Sequence, residues 1–401
     1  MPSISNRAKT LPASPIRKLV PFAEAAKDKG VKVYHLNIGQ PDIQTPPAFF
    51  DAIKDADLKV VAYSHSAGIE PLRDEIVNYY GRIGHDLTNE EVIVTTGASE
   101  ALNFVFASIM NAGDEVIIPE PFYANYNSFS LAKDTKVVPV PTTIENNFAL
   151  PAMEEFEKKI TPKTRAILIC NPGNPTGVLY PKESLEQLAA IVKKHDLFLI
   201  ADEVYREFVY GGSEHYSTLN LKDIQQNVIV VDSISKRFSA CGARIGCIIS
   251  RNEELMDAAL KLAQARLSPP TLGQLGAVEM YKLPASYYKG VVDEYSQRRD
   301  TLKASLDKIE GAVCPEINGA FYAMVELPVD DSEKFCRWLL EEFEHDGATV
   351  MMAPGGGFYA TDGAGTNQVR IAYVLNESDL QAAMSCLAAG LKAYQGTTVN
   401  A

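Results

Sequence analysis

From about residue 90 the chain alternates short runs of β-branched and apolar residues with longer segments whose apolar positions recur at helical spacing. The runs have the character of strands, and the longer segments that of helices with one apolar face. Seven runs stand out: EVIVTT (91–96), DEVIIP (114–119), TKVVPV (135–140), TRAILIC (164–170), LFLIAD (197–202), NVIVVDS (227–233) and IGCIIS (245–250). Each predicts a strand buried on both faces. Intervening segments such as SEALNFVFASIM (99–110) and KESLEQLAAIVKKH (182–195) predict the helices that cover them. The expected core is therefore α/β, a mostly parallel seven-stranded sheet.

The pattern changes after the helical stretch NEELMDAALKLAQARL (252–267), where the prolines of SPPTLGQLG precede a long polar helical region at about 285–309. Strands are expected again near GAFYAMVEL (319–327), ATVMMAP (348–354) and QVRIAYV (368–374), which predict a smaller α+β unit. Residues 1–45 have no partner strand nearby and are expected to pack on that unit. The division predicted is a large domain over 46–285 and a small one formed by 1–45 with 286–401, which suits a chain of 401 residues. No internal repeat, low-complexity segment or heptad run is present.

Composition narrows the partners. Hydrophobic residues make up 46% and charged residues 22%, as in a folded globular protein, and the net charge of −13 opposes binding to nucleic acid or anionic membrane. A small-molecule partner is expected. Cys170, Cys241, Cys247, Cys314, Cys336 and Cys386 are scattered, with no C-x-x-C pair and no histidine at ligand spacing, so no metal is expected and a reducing compartment is. The N-terminal stretch MPSISNRAKTLPASPIRKLV lacks the apolar core of a signal peptide, and no run is long enough to span a bilayer. A cytoplasmic location is the expectation.

The most informative stretch is Asp232–Gly246, in which a strand ends on Ser233-Ile-Ser235-Lys236. Ligands of parallel α/β sheets bind outside the carboxyl ends of the strands, so Lys236 can point into a crevice. Asp202 and Tyr205 end another strand and can point into the same crevice. A carboxylate there suits a pyridine nitrogen that must stay protonated for the ring to act as an electron sink, and Tyr205 can donate to the ring's phenolate oxygen. Asn171-Pro-Gly-Asn174-Pro-Thr-Gly177 holds an irregular turn that can present the Asn174 amide. Thr96-Gly-Ala98-Ser99 follows a strand and opens a helix, which makes its N–H groups an anion site. Arg244, Ser233 and Ser235 add a charged fork and hydroxyls suited to a phosphate.

These four motifs, Asn-Pro-x-Asn-Pro-Thr-Gly at 171–177, Asp-Glu-x-Tyr at 202–205, Ser-x-Ser-Lys at 233–236 and Arg-Ile-Gly at 244–246, resemble in order and spacing those of the class I aminotransferases of pyridoxal-phosphate (PLP) fold type I. The resemblance runs along most of the chain and is to the bacterial aspartate and aromatic aminotransferases. It implies that Lys236 is the Schiff-base lysine, that Asp202 pairs with the pyridine nitrogen, and that Asn174 and Tyr205 bond the ring oxygen. Ala98, Ser99, Ser233, Ser235 and Arg244 would hold the phosphate, and Tyr123 would stack on the ring. Gly39, in Asn37-Ile-Gly-Gln-Pro-Asp42, and Arg370 resemble the elements that contact the substrate carboxylate. Tyr63 resembles the tyrosine that reaches the phosphate of a neighbouring subunit, which implies a homodimer with shared sites. His65, two residues further on, is near enough to line the site, but a loop histidine with no role is the expectation.

The activity implied is transfer of an amino group between an L-amino acid and a 2-oxo acid with ping-pong kinetics. Aspartate is the favoured donor and 2-oxoglutarate the acceptor. One group of bacterial aspartate aminotransferases has a lysine after paired glycines that binds the distal carboxylate. The corresponding segment here, Gly97-Ala98-Ser99, has none, and Arg266, before Ser268-Pro-Pro270, is the cation expected to serve instead. The rivals are a PLP-dependent C–S β-lyase, an aminotransferase with aromatic or other donor preference, and an effector-sensing module of a transcription regulator. The last would need a basic helix-turn-helix domain that the region before Asn37 is too short to hold. A nicotinamide dehydrogenase is disfavoured because no G-x-G-x-x-G follows the first clear strand.

Overall fold

A computed structural model describes residues 2–398. Its strands, in chain order, are β1 (Lys32–His35), β2 (Val92–Thr95), β3 (Glu115–Glu120), β4 (Lys136–Pro141), β5 (Thr164–Cys170), β6 (Phe198–Asp202), β7 (Val228–Ser233), β8 (Gly246–Ile249), β9 (Tyr322–Glu326), β10 (Ala348–Met351), β11 (Ala353–Pro354) and β12 (Gln368–Ala372). The seven runs expected from the sequence are β2 to β8, and they form one sheet in the order β2-β8-β7-β6-β5-β3-β4. Only β8 runs against its neighbours β2 and β7. Every residue of β2, β7 and β8 is buried, as strands covered on both faces require.

Register does the positioning. Ser233 and Thr95 both lie opposite Gly246, and Cys170 lies opposite Asp202, so the carboxyl ends of β2, β5, β6 and β7 come together along one edge of the sheet. Helix Gly97–Ile109 starts there, directly after β2, and the single helical turn Ile234–Arg237 follows β7.

The rest of the chain packs around a separate apolar cluster that joins Leu19, Ala23 and Leu36 to Phe321, Phe335 and Leu387. Strands β11, β12 and β9 form a three-stranded antiparallel sheet. Residues 1–45 also contain a strand that the sequence did not show, its partner far along the chain: β1 pairs in parallel with β10, Lys32 opposite Ala348. KVYH is too short to be read as a strand, and its partner lies at the far end of the chain. Leu36 continues the pairing by bonding to both Met351 and Ala372, and so fixes where the Asn37–Asp42 loop begins. A helix over Thr271–Tyr281 also lies where the prolines and glycines of SPPTLGQLG gave no helical signal; Pro270 precedes its first turn, where a proline is tolerated. Among the described residues no helix is long and apolar enough to cross a membrane.

Candidate active site

A cavity of about 630 Å³ opens at the carboxyl edge of the large sheet, between it and the β9–β12 sheet. Its wall brings together Gly39, Ala98, Ser99, Tyr123, Asn174, Asp202, Tyr205, Ser233, Ser235, Lys236, Arg244 and Arg370. Of the residues singled out in the sequence, Tyr63, His65 and Arg266 do not line it.

Lys236 lies in the turn after β7, whose N-cap Ser233 accepts the Ser235 N–H at 3.0 Å. Its amine donates to the Gly39 carbonyl at 2.7 Å. Gly39 has to be glycine, because a Cβ there would sit 1.6 Å from the Tyr322 hydroxyl. Asp202, at the end of β6, accepts from the Tyr126 hydroxyl at 2.7 Å. Burial pushes its carboxyl up to about 6, against the hydrogen bonds from Tyr126 and the Val204 N–H.

Asn174 connects two parts of the wall. Its Nδ2 faces the Tyr205 hydroxyl at 3.4 Å, and its Oδ1 accepts from Arg370 at 3.1 Å. Tyr205 in turn shares a hydrogen bond of 3.0 Å with Tyr322. Arg370 is 1% exposed, also donates to the Asn37 carbonyl, and makes no ion pair among the described residues. Its Nε is buried with no partner. Burial pulls its pKa down, the direction expected of a cation that lacks a counterion. A carboxylate placed on this guanidinium would supply both the missing charge and the missing acceptor.

At the other end of the cavity, helix Gly97–Ile109 begins with no side-chain cap, so its first N–H groups are open to a ligand. Gly97 has φ of +74°, and a Cβ there would lie 2.1 Å from the Arg244 guanidinium. The glycine therefore makes room for the cation beside the helix start. Arg244, itself left-handed at φ 55°, donates to the Cys241 carbonyl at 2.9 Å. Free N–H groups, hydroxyls of Ser99, Ser233 and Ser235, and a guanidinium thus converge on one spot.

Arg266 requires a correction. It ends helix Glu253–Arg266 outside the cavity wall, paired with Glu100 at 3.2 Å and donating to the Ser66 carbonyl at 3.0 Å. Its charge is already met within the scaffold. Tyr63 is 79% exposed on the outer surface of this chain. His65 accepts the Ala67 N–H at 3.2 Å and is not on the wall. Sequence reasoning missed Tyr126, Tyr322 and Arg17, all brought in by tertiary contact; only Tyr322, within the GAFYAMVEL run, had any local signal.

Comparison with known proteins points the same way. The family profile described as aminotransferase class I and II matches residues 31–387. An aspartate aminotransferase from Pyrococcus horikoshii is 33% identical over 389 residues, covering 95% of each chain. Among solved structures, the aspartate aminotransferase from Thermus thermophilus with maleate superposes with a TM-score of 0.88 at 30% identity, covering 97% of this chain and 100% of that one. An alanine aminotransferase from Pyrococcus furiosus gives the same score and identity over 98% of this chain and 100% of its own. With the four motifs gathered around one cavity on this fold, the chain belongs to the class I and II aminotransferases, PLP-dependent enzymes of fold type I.

Proposed function

We propose that the cavity binds pyridoxal phosphate and transfers an amino group from an L-amino acid, aspartate foremost, to 2-oxoglutarate. The observation that carries this reading is the convergence of Lys236, Asp202 and the anion site around Gly97 and Arg244 on one wall. The residues fit the group. Ala98, Ser99, Ser233, Ser235 and Arg244 would hold its phosphate, Asp202 its ring nitrogen, Asn174 and Tyr205 its ring oxygen, and Tyr123 the ring face. When bound, pyridoxal phosphate supplies an electron sink for the carbanion at the substrate Cα.

The chain's own residues do the rest. Arg370 and the Gly39 loop bind and orient the substrate carboxylate, which fixes the Cα–H toward Lys236. The Lys236 amine takes the proton from Cα and returns one as acid. Buried Asp202, once opposite a cation, is held ionised. Donor and acceptor use the same cavity in turn, so initial rates at several fixed acceptor concentrations should give parallel double-reciprocal lines. Intersecting lines would contradict the two-half-reaction scheme. A panel of aspartate, aromatic, branched and alanine donors with 2-oxoglutarate tests the donor class.

The reading takes residues 46–285 as the body that holds the cofactor and 1–45 with 286–401 as a smaller unit carrying Arg370. The separate apolar cluster joining residues of the two chain ends supports it. It also takes the active form as a homodimer. Phe50, Val60, Val61, Tyr63, Leu267 and Leu272 are exposed. The two segments they occupy are tied by Thr271 to the Ala62 carbonyl at 3.2 Å and by Ser66 to the Leu267 carbonyl at 2.6 Å. Such an apolar face suits a second copy, with Tyr63 reaching the neighbouring site. Sedimentation of the wild type and of Val61→Asp checks this: the dimer should weaken in the variant, and a monomeric wild type would contradict it.

A further inference from the structure

Four basic side chains line the cavity: Arg17, Lys236, Arg244 and Arg370. The aminotransferase reading uses three of them, for proton transfer, the cofactor phosphate and the substrate α-carboxylate. Arg17 is left over. Among the described residues it makes no ion pair, whereas its neighbour Lys18 is held by Glu333 at 2.5 Å.

The backbone that carries Arg17 is anchored. The Ile16 carbonyl accepts from Asn37 Nδ2 at 2.7 Å, and the Arg17 N–H donates to the Ser14 carbonyl at 3.1 Å. Pro15 is buried against Gly357, in space that a Cβ on that glycine would need, at 2.4 Å. Asn37 is also the residue whose carbonyl receives Arg370. One asparagine thus holds Arg370 through its main chain and the Arg17 segment through its side chain. The two guanidiniums are set on one wall by a common support.

The other places for a second cation are closed. Ser99 stands where a lysine would be, and Arg266 is occupied by Glu100. Among the described residues the wall's sole acid is Asp202, bonded to Tyr126 and assigned to the ring nitrogen. Likeness of fold does not choose a substrate class either, since an aspartate and an alanine aminotransferase superpose on this chain equally well. The uncommitted charge does choose. From this we infer that Arg17 is a specificity-determining residue, pairing with the side-chain carboxylate of a dicarboxylic amino acid while Arg370 takes its α-carboxylate. The inference rests on the aminotransferase reading. A monocarboxylic donor would leave Arg17 without a partner in the cavity.

The test compares wild type, Arg17→Met and Arg17→Lys as PLP-loaded enzymes. Two quantities are read: kcat/KM for aspartate relative to alanine, and the dissociation constants of succinate and butyrate, which carry two carboxylates and one. A charge-assisted pair inside the cavity predicts that Arg17→Met lowers the aspartate-to-alanine ratio about 10- to 100-fold and weakens succinate by a similar factor. Butyrate should change far less than succinate, and Arg17→Lys should recover part of the ratio. An unchanged ratio, or succinate and butyrate weakened equally, overturns the assignment. If the wild type reacts with no amino donor, the aminotransferase reading fails by itself. Succinate binding still judges Arg17 in that case: a loss specific to Arg17→Met supports it, and equal binding sinks it.

Discussion

Asp202, an acid on the cavity wall, is held where its charge is disfavoured. Burial raises its pKa from 3.8 to about 6, so the folded chain keeps this proton at pH values where the unfolded chain has lost it. Its contribution to stability is therefore full below the unfolded value and is lost as pH rises through about 6. Two units of difference correspond to about 3 kcal/mol at most. For the cofactor-free protein, Asp202→Asn should melt above the wild type near pH 8, and the gap should close as pH falls toward about 4. Thermal melts of both proteins across that range check it, and a gap that does not vary with pH would contradict it. Adding PLP at pH 8 should then stabilise the wild type more than the variant, since only the carboxylate meets a ring cation. At this scale the motif-borne residues Lys236, Asp202, Tyr205, Asn174, Arg244 and Arg370 were legible, because each stands in a short pattern beside a strand or, for Arg370, within one. Arg17 and Tyr126 were not. ASPIRKL and NYNS carry no pattern of their own; Arg17 reaches the cavity wall, and Tyr126 the Asp202 carboxylate, only through contacts far away in sequence. Arg266 misled because its distance from the prolines said nothing about Glu100 waiting beside it.

Among the elements, the reversed strand β8 has the most consequence for the site. By pairing with both β2 and β7 it brings Arg244, just before it, against the start of helix Gly97–Ile109. Gly97→Ala would face two penalties, a left-handed backbone and a Cβ in the guanidinium's place. Displacing Arg244 from the anion site is expected to weaken PLP binding by about tenfold or more. Equilibrium titration of the cofactor-free protein with PLP measures this, and an unchanged dissociation constant would count against the assigned phosphate site. Most strands of the large sheet were legible because burial on both faces leaves an unbroken apolar run; β4, at the sheet edge, is not buried on both faces as expected, and its β-branched residues alone marked it. β1 was not legible, since four residues of mixed polarity become a strand only when β10 lies alongside. The helix Thr271–Tyr281 was hidden for a related reason: seven of its residues, on more than one face, are buried, so it shows no polar stripe.

For the molecule as a whole, two buried histidines set a pH dependence opposite to that of Asp202. Burial, and then the charge of Arg206, push His215 down to about 3 and His85 down to about 4. Their stabilising contribution is present above the ordinary value of 6.5 and is lost as pH falls below it, because the unfolded chain takes up the protons first. His215 Nε2 lies 3.1 Å from the Asn171 carbonyl, in the loop that presents Asn174. His215→Gln keeps a donor and removes the titration, so its urea midpoint should fall less than that of the wild type between about pH 7 and pH 4.5. Equal falls would show that the acid sensitivity lies elsewhere. The α/β class and the seven strands could be read from the chain, but their order in the sheet and the cavity could not. The cavity exists only because the N-terminal segment returns through Asn37 to meet Arg370 and close over the strand ends. The account's central claim is that Lys236 is the lysine that takes pyridoxal phosphate. The most direct measurement is borohydride reduction of the PLP-loaded protein, followed by peptide mass spectrometry. A phosphopyridoxyl group on the peptide containing Lys236, absent from Lys236→Ala, is the predicted result; the group on another lysine, or on none, would contradict the account.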